Sequence, residues 1–353
     1  MTVFLILLIL ALLGVTFWQL SQIFKLSQGK GSVSQIANDK DNSLQGKLML
    51  YFVIFLYGLM IYCFTNYWSY FLPAGSSAHS EDYDRLMMIS VVLIMFVQFL
   101  TQFFLHYFAF KYKGKKGVRA TYFPDNDTLE IVWTVIPIIT LAGLILYGLS
   151  AWTDITNIDE DDEDAIVIEL YAYQFGWRAR YSGADNVLGK ANVRFIEGVN
   201  TLGIDASDAY AMDDIVTDQL HLPVNKKIIF KLRSQDILHS AYMPHFRAQM
   251  NVVPGMITQF SYTPIETTEE IRQTEFMIEK VATINKIRAE KSKELVAKGE
   301  EALEPYEFNY YLLCNKICGA SHFNMQMKIV VESEEDYRNW LAEQKTFRQV
   351  ASN

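Results

Sequence analysis

The sequence predicts an α-helical membrane region of four helices followed by an all-β sandwich or barrel with a helical insertion, and three observations predict it. Apolar residues dominate the first 152 of 353 positions, in runs near membrane-spanning length. From Ala165 onward, short segments rich in β-branched and aromatic residues recur between turn signals. Within that second half, a capping-box pattern opens one long helical stretch.

The four apolar stretches are residues 2–24, 48–68, 86–110 and 129–152, each near the roughly 20 residues a helix needs to cross hydrocarbon. Basic residues orient them. Lys25, Lys30, Lys40 and Lys47 lie between the first pair, and Lys111, Lys113, Lys115, Lys116 and Arg119 between the last pair, so both loops belong in the cytoplasm. The middle loop carries His79, Glu81, Asp82 and Asp84 against Arg85 alone, which places it outside together with everything after Trp152. The first stretch has no basic leader and no small-x-small cleavage site, so a retained anchor is expected rather than a signal peptide. Glu130 opens the fourth stretch; taken alone it is an acid at the positive end of a helix, with Trp133 anchoring at the interface. Cys63 reads as a small packing residue in a membrane helix.

In the second half, strands are expected at Ile166 to Tyr173, Lys227 to Leu232, Ile257 to Tyr262, Phe308 to Leu313 and Met327 to Val331. Thr267 and Glu270 have capping-box spacing; Ile271, Ile278, Val281 and Ile284 follow at near-helical intervals, with Gly299 and Pro305 near the end. A closing helix is expected from Ser333 and Asp336 through Tyr337, Trp340 and Leu341. The resulting division is an extra helix pair over 1–68, a second hairpin over 69–152, an acidic linker over 153–164, a β domain over 165–340 with an insertion at 267–303, and a tail over 341–353. The acidic run Asp159 to Asp164 reads as a solvated linker, and the net charge of −9 disfavours nucleic acid and favours basic partners.

The chemistry sits in Cys314-Asn315-Lys316-Ile317-Cys318-Gly319-Ala320-Ser321-His322-Phe323-Asn324-Met325. Three cysteines in all exclude a multi-disulfide scaffold. Thiols with imidazole select copper, zinc or iron, and a thioether moves the balance towards copper; zinc knuckles use Cys and His alone. A Cys314–Cys318 disulfide, with His322 and Met325 as ordinary core residues, remains the plainer reading of the spacing. A blue-copper site has one Cys too few to use this set, whereas two thiolates can bridge two coppers. Each copper then needs an imidazole, and His239 in Asp236-Ile237-Leu238-His239-Ser240 is the best second candidate. His221 and His245, beside Pro-containing turns, read as surface or supporting residues, while His79 and His106 lie in or near the membrane helices.

These residues resemble subunit II of the cytochrome c oxidases, a CuA-containing branch of the haem-copper oxidase superfamily, here of a bacterial type with extra N-terminal helices. The resemblance spans about residues 86 to 340. It is carried by Cys-x3-Cys-x3-His-x2-Met from Cys314 to Met325, by Asp236 to Ser240, by Phe246-Arg247 with Val253-Pro254-Gly255-Met256, and by Glu-x-x-Trp-Thr-x-x-Pro from Glu130 to Pro137. It implies a cupredoxin-like Greek-key barrel hung from a helix hairpin in a bacterial cytoplasmic membrane, on the periplasmic side. Cys314 and Cys318 would bridge two coppers, His239 and Met325 completing one, His322 and the backbone carbonyl of Lys316 the other. Glu130 matches an acid at the mouth of a proton path, and Phe175 and Trp177 fall in the electron-entry segment. The implied partners are subunit I, which holds the haems and reduces oxygen with proton translocation, subunit III, and a cytochrome c or the haem c domain of a quinol-oxidising complex as donor.

Several positions depart from the family pattern. Lys316 stands where many members have a Glu that contacts an interfacial magnesium, so no magnesium contact through this side chain is expected. Asn251 replaces a common Asp, and Phe175 a common Trp. No Cys-x-x-Cys-His run occurs, so a cytochrome donor is a separate chain. A quinol oxidase subunit would lack the metal ligands, and a nitrous oxide reductase would need a His-rich domain that six histidines cannot supply. A tethered copper chaperone would have no use for Glu130 or the anchoring hairpin.

Overall fold

A computed structural model of the chain describes residues 2–27, 38–159, 162 and 164–351. Lys30 of the first basic loop, and Glu160, Asp161 and Glu163 of the acidic run, lie outside the described residues. The chain divides into two compact units, Met1–Phe71 with Ile89–Thr140, and Leu72–Met88 with Leu141–Asn353.

The helical region has α1 (Thr2–Ser27), α2 (Asp39–Tyr67), α3 (Ser80–Lys111) and α4 (Asp127–Thr156). The last three are long and apolar enough to cross a membrane, and α1 contributes a shorter apolar stretch, Ile9–Lys25. In the first unit α2 lies along α3. Gly46 lets the Phe110 backbone approach to 3.4 Å of where a Cβ would stand, and the Tyr57 hydroxyl donates to the Phe99 carbonyl. At the basic end, Asp39 accepts the Lys116 N–H at 2.7 Å and Asn42 donates to the Gly114 carbonyl at 3.2 Å. Cys63 is exposed on α2.

The soluble part contains β1 (Ile166–Tyr173), β2 (Gly176–Tyr181), β3 (Ile215–Thr217), β4 (Leu220–Pro223), β5 (Ile228–Ser234), β6 (His239–Met243), β7 (Ala248–Val252), β8 (Thr258–Tyr262), β9 (Tyr310–Cys314) and β10 (Gln326–Glu332). They form two five-stranded sheets, ordered β3-β2-β1-β5-β8 and β4-β10-β9-β6-β7. Most pairs are antiparallel; β1 with β5 and β4 with β10 are parallel. The facing sides bury Ile168, Leu170, Phe230, Leu232, Ala241, Tyr310, Leu312 and Ile329 at 0% exposure, an all-β, cupredoxin-like core. Alternation along β1 turns Glu169 and Tyr171 to the other face. There Arg180 bridges Glu169 and Asp214, and Tyr171, Leu202, Ile204, Ala211 and Phe347 form a second cluster.

The insertion is two helices rather than one. Thr267 and Glu270 close the expected capping box on α5 (Thr268–Arg272), and Thr274 caps a fresh start for α6 (Glu275–Ala297). The restart buries Met277 and leaves Ile278 57% exposed, so the single stripe read from the sequence is broken at 272–274. Gly299, at φ +81°, ends α6, with Glu300 N–H bonded to the Leu295 carbonyl. Helix α7 (Glu334–Glu343) starts at the Ser333 cap, and the segment read as a tail carries α8 (Phe347–Ala351), whose Phe347 is 6% exposed and donates its N–H to the Asp214 carbonyl.

Candidate metal centre

Cys314 ends β9, and its N–H donates to the Met325 carbonyl at 3.0 Å, closing the twelve-residue run into a loop. A 3-10 turn, His322–Asn324, returns the chain to β10 and brings Met325 beneath Cys318. His239 opens β6, which pairs with β9 through Ala241 opposite Cys314. Two adjacent strands therefore present one imidazole and one thiol at the same end of the sheet. Cys318 and Met325 are each 2% exposed, and His239 is fully buried.

The donor atoms converge. Cys314 Sγ and Cys318 Sγ are 3.9 Å apart and both cysteines are free, far beyond the about 2.0 Å of a disulfide bond, so the disulfide reading is set aside. His239 Nδ1 stands 3.8 Å from Cys314 Sγ, and His322 Nδ1 3.6 Å from Cys318 Sγ. Met325 Sδ is 3.6 Å from Cys318 Sγ, and the Lys316 carbonyl accepts from the Cys314 thiol at 3.2 Å. Ligand atoms of His239, Cys314 and Cys318 lie within 4.8 Å of one another, a group able to hold a metal ion. Soft sulfur with imidazole fits copper better than magnesium or calcium, so the donor set suits the group the family implies. Burial and the neighbouring Cys314 thiol push the Cys318 thiol up to about 11, and metal binding would draw that proton off.

Two residues to which the sequence reading gave no role support this site. Asp236 Oδ1 accepts from His239 Nε2 at 2.8 Å, which leaves Nδ1 facing the thiols. Its other oxygen accepts the Gln174 N–H at 2.7 Å, and the Gln174 side chain donates to the Cys318 carbonyl. Burial pulls the Asp236 carboxyl upward, yet the hydrogen bonds from His239, Gln174 and Ile237 hold it below the usual carboxylate range. Gly319, at φ +140°, lies where a Cβ would stand 2.8 Å from the Phe175 ring. An acid three residues before a candidate ligand was the available signal for Asp236; nothing local marks Gln174.

The structure brings His239, Cys314, Lys316, Cys318, His322 and Met325 together, with Phe175 against Gly319 and the buried Trp177 edge-on to His239 at 6.3 Å. Glu130 belongs to the other unit, exposed in the first turn of α4. His221 and His245 are not surface residues: each is 8% exposed, His221 stacked on Trp340 at 3.9 Å and His245 packed edge-on to Phe308 and Tyr310.

Residues 65–150 match the family model "Cytochrome C oxidase subunit II, transmembrane domain", and residues 167–270 match "Cytochrome C oxidase subunit II, periplasmic domain". The alternative cytochrome c oxidase subunit 2 of Bradyrhizobium diazoefficiens is 32% identical over 266 residues, covering 75% of this chain and 80% of that relative. Cytochrome c oxidase subunit 2 of Cereibacter sphaeroides is 24% identical over 288 residues, 76% of each chain. A solved periplasmic domain of subunit II from Bradyrhizobium japonicum aligns over 50% of this chain and 91% of its own at 17% identity, with a TM-score of 0.28, too slight a likeness to add weight. With a relative 32% identical over three quarters of the sequence and both family models falling on it in order, the chain belongs to the cytochrome c oxidase subunit II family, membrane proteins with a periplasmic soluble domain in an oxidoreductase complex.

Proposed function

We propose that the chain takes electrons from a cytochrome c, or from the haem c domain of a quinol-oxidising complex, at a dinuclear copper centre and passes them to the haems of oxidase subunit I. Oxygen would be reduced there to water with proton translocation, subunit III being a further neighbour. The observation that carries this reading is the convergence of two free thiols 3.9 Å apart with two imidazole Nδ1 atoms, a thioether and a carbonyl. Two thiols are one more than a single blue-copper centre uses. His239 and Met325 would complete one copper, His322 and the Lys316 carbonyl the other, with Cys314 and Cys318 bridging.

When bound, the copper pair supplies a one-electron relay whose charge is shared over two ions. The protein keeps the donors in place: Asp236 fixes the His239 ring, Gln174 holds the Cys318 carbonyl, and the buried sheet ends exclude water from His239 and Cys318. Phe175, packed against Gly319, and Trp177, edge-on to His239, are the proposed electron-entry region, and Glu130 the proposed entrance of the proton path. Lys316 offers its carbonyl but no acid for magnesium.

Copper analysis and electron paramagnetic resonance of the purified full chain test the reading. Two coppers per chain and one unpaired electron shared by both are expected. A single localised copper signal, or a zinc-loaded chain, overturns it.

A further inference from the structure

Residues 73–84 have the composition of a short outer loop, yet they are built into the soluble fold. The Ser76 N–H donates to the His245 carbonyl at 2.8 Å, the Ala78 N–H to the Thr263 carbonyl at 3.0 Å, and the Ile265 N–H to the Ser76 carbonyl at 3.0 Å. Ser77 Oγ donates to the Phe246 carbonyl, the Tyr310 hydroxyl bonds Ser76 Oγ, and His245 Nδ1 donates to the Ala74 carbonyl, all within 3.0 Å. Ser76 and Ser77 are 0% and 1% exposed. Polar groups this deeply enclosed are satisfied only while the segment stays docked.

Arg247 is the centre of this arrangement. Its side chain is 3% exposed. Nε and Nη2 grip both oxygens of Asp84 at 2.7 and 2.8 Å, Nη2 also donates to the Pro73 carbonyl at 2.7 Å, and Nη1 to the Pro244 carbonyl at 2.7 Å. A two-pronged guanidinium–carboxylate pair fixes direction as well as distance. The Arg247 backbone is at φ +51°, a region where Gly would sit without strain and Arg does not. The side chain's bonds therefore offset an unfavourable backbone.

What the pair holds is the far end of the ligand-bearing strands. Pro244–Phe246 follows β6, which opens with His239, and Tyr310 opens β9, which ends at Cys314. Asp84 lies in the first turns of α3, which belong to the same compact unit as the sheets. We propose that Arg247 and Asp84 form a latch that keeps those turns docked on the β6 and β9 ends, and that the latch is required for full-rate electron transfer out of the metal centre but not for binding copper. The second half of this inference rests on the electron-transfer reading above. Transfer between fixed centres depends on placement, and small displacements caused far from the chemistry are costly. Arg247 and Asp84 are thus positioning residues.

The test uses the intact oxidase complex carrying Asp84→Asn, Arg247→Gly or Arg247→Lys. Amide hydrogen exchange over residues 73–88 and 244–248 is expected to rise at least tenfold in Asp84→Asn and Arg247→Gly, and less in Arg247→Lys. Copper content and the resonance spectrum should match the parent, while single-turnover transfer from copper to the next centre slows several-fold. Were only the backbone important, Arg247→Gly would relieve strain and leave exchange unchanged or slower, which overturns the latch. Raised exchange with parental transfer overturns its role in electron flow, and copper loss in Asp84→Asn overturns the separation from metal binding. Should Arg247→Gly fail to assemble, Asp84→Asn decides. A parent without a two-copper signal overturns the proposed function instead, and exchange still reports on the latch.

Discussion

Asp236 decides which nitrogen His239 turns towards the thiols. Its carboxylate takes Nε2–H at 2.8 Å and the Gln174 N–H at 2.7 Å, so one side chain orders both an imidazole and the segment behind Cys318. Removing it frees the ring to rotate and leaves a buried N–H without an acceptor. Asp236→Ala is expected to weaken copper affinity by about 10- to 100-fold, measured by competition with a chelator of known affinity; unchanged affinity would remove its assigned role. Glu130 is argued at the same scale but from the resemblance. Glu130→Gln should slow proton uptake in the assembled oxidase while copper reduction by the donor keeps its rate, and unaltered turnover would end that assignment. Cys314, Cys318, His322 and Met325 were legible as candidate metal donors because thiols, imidazole and thioether in twelve residues have few other uses, whereas His239 entered as the best second imidazole and the Lys316 carbonyl only through the resemblance. It concealed Gln174, whose work depends on a carbonyl 144 positions away.

Among the elements, the four apolar helices, the Ser333-capped helix and the five strands with strong β-branched runs were legible, whereas the break in the insertion, the last helix α8 and five other strands were not. β6 reads His-Ser-Ala-Tyr-Met, small and polar, yet four of its five residues are buried because β7 and β9 flank it and the opposite sheet covers it. β2 carries Arg178 and Arg180, which argue against a strand until Glu169 and Asp214 are seen to pair with the buried Arg180. Such pairings join distant positions, and local periodicity does not encode them. The insertion shows the opposite balance: its start is local and was read correctly from Thr267 and Glu270, whereas the restart at Thr274 was not. Thr267→Ala removes the hydroxyl that accepts the Glu270 N–H and should lower stability by about 1 kcal/mol. Thermal unfolding of the purified chain, with Thr267→Ser as the control that restores the cap, measures it; equal melting of all three proteins would show that the box contributes nothing.

Across the whole molecule, pH reaches the fold through His245, which the sequence left as a surface or supporting residue and the fold buries. Burial, with Lys280 and Arg247 nearby, lowers His245 to about 4 from its usual 6.5, although the bond to the Ala74 carbonyl pulls the other way. Between those values the unfolded chain takes up a proton that the folded chain refuses. Stability is therefore full above about pH 6.5 and declines as pH falls towards 4, by up to about 1.4 kcal/mol per pH unit from this one group. Asp214 acts oppositely in an overlapping range. Burial raises its carboxyl to about 6 against the pull of Arg180, so its contribution grows on acidification and is lost as pH rises through about 6. The two effects separate by comparison with His245→Gln, which leaves Asp214 untouched and cannot charge. Relative to the parent, His245→Gln should be less stable at pH 8, where the packed imidazole and its bond to Ala74 are missing. That deficit should shrink steadily below about pH 6.5. Melting curves of both proteins from pH 8 to 4.5 supply the test, and parallel curves across that range would mean that His245 is charged equally in the folded and unfolded states.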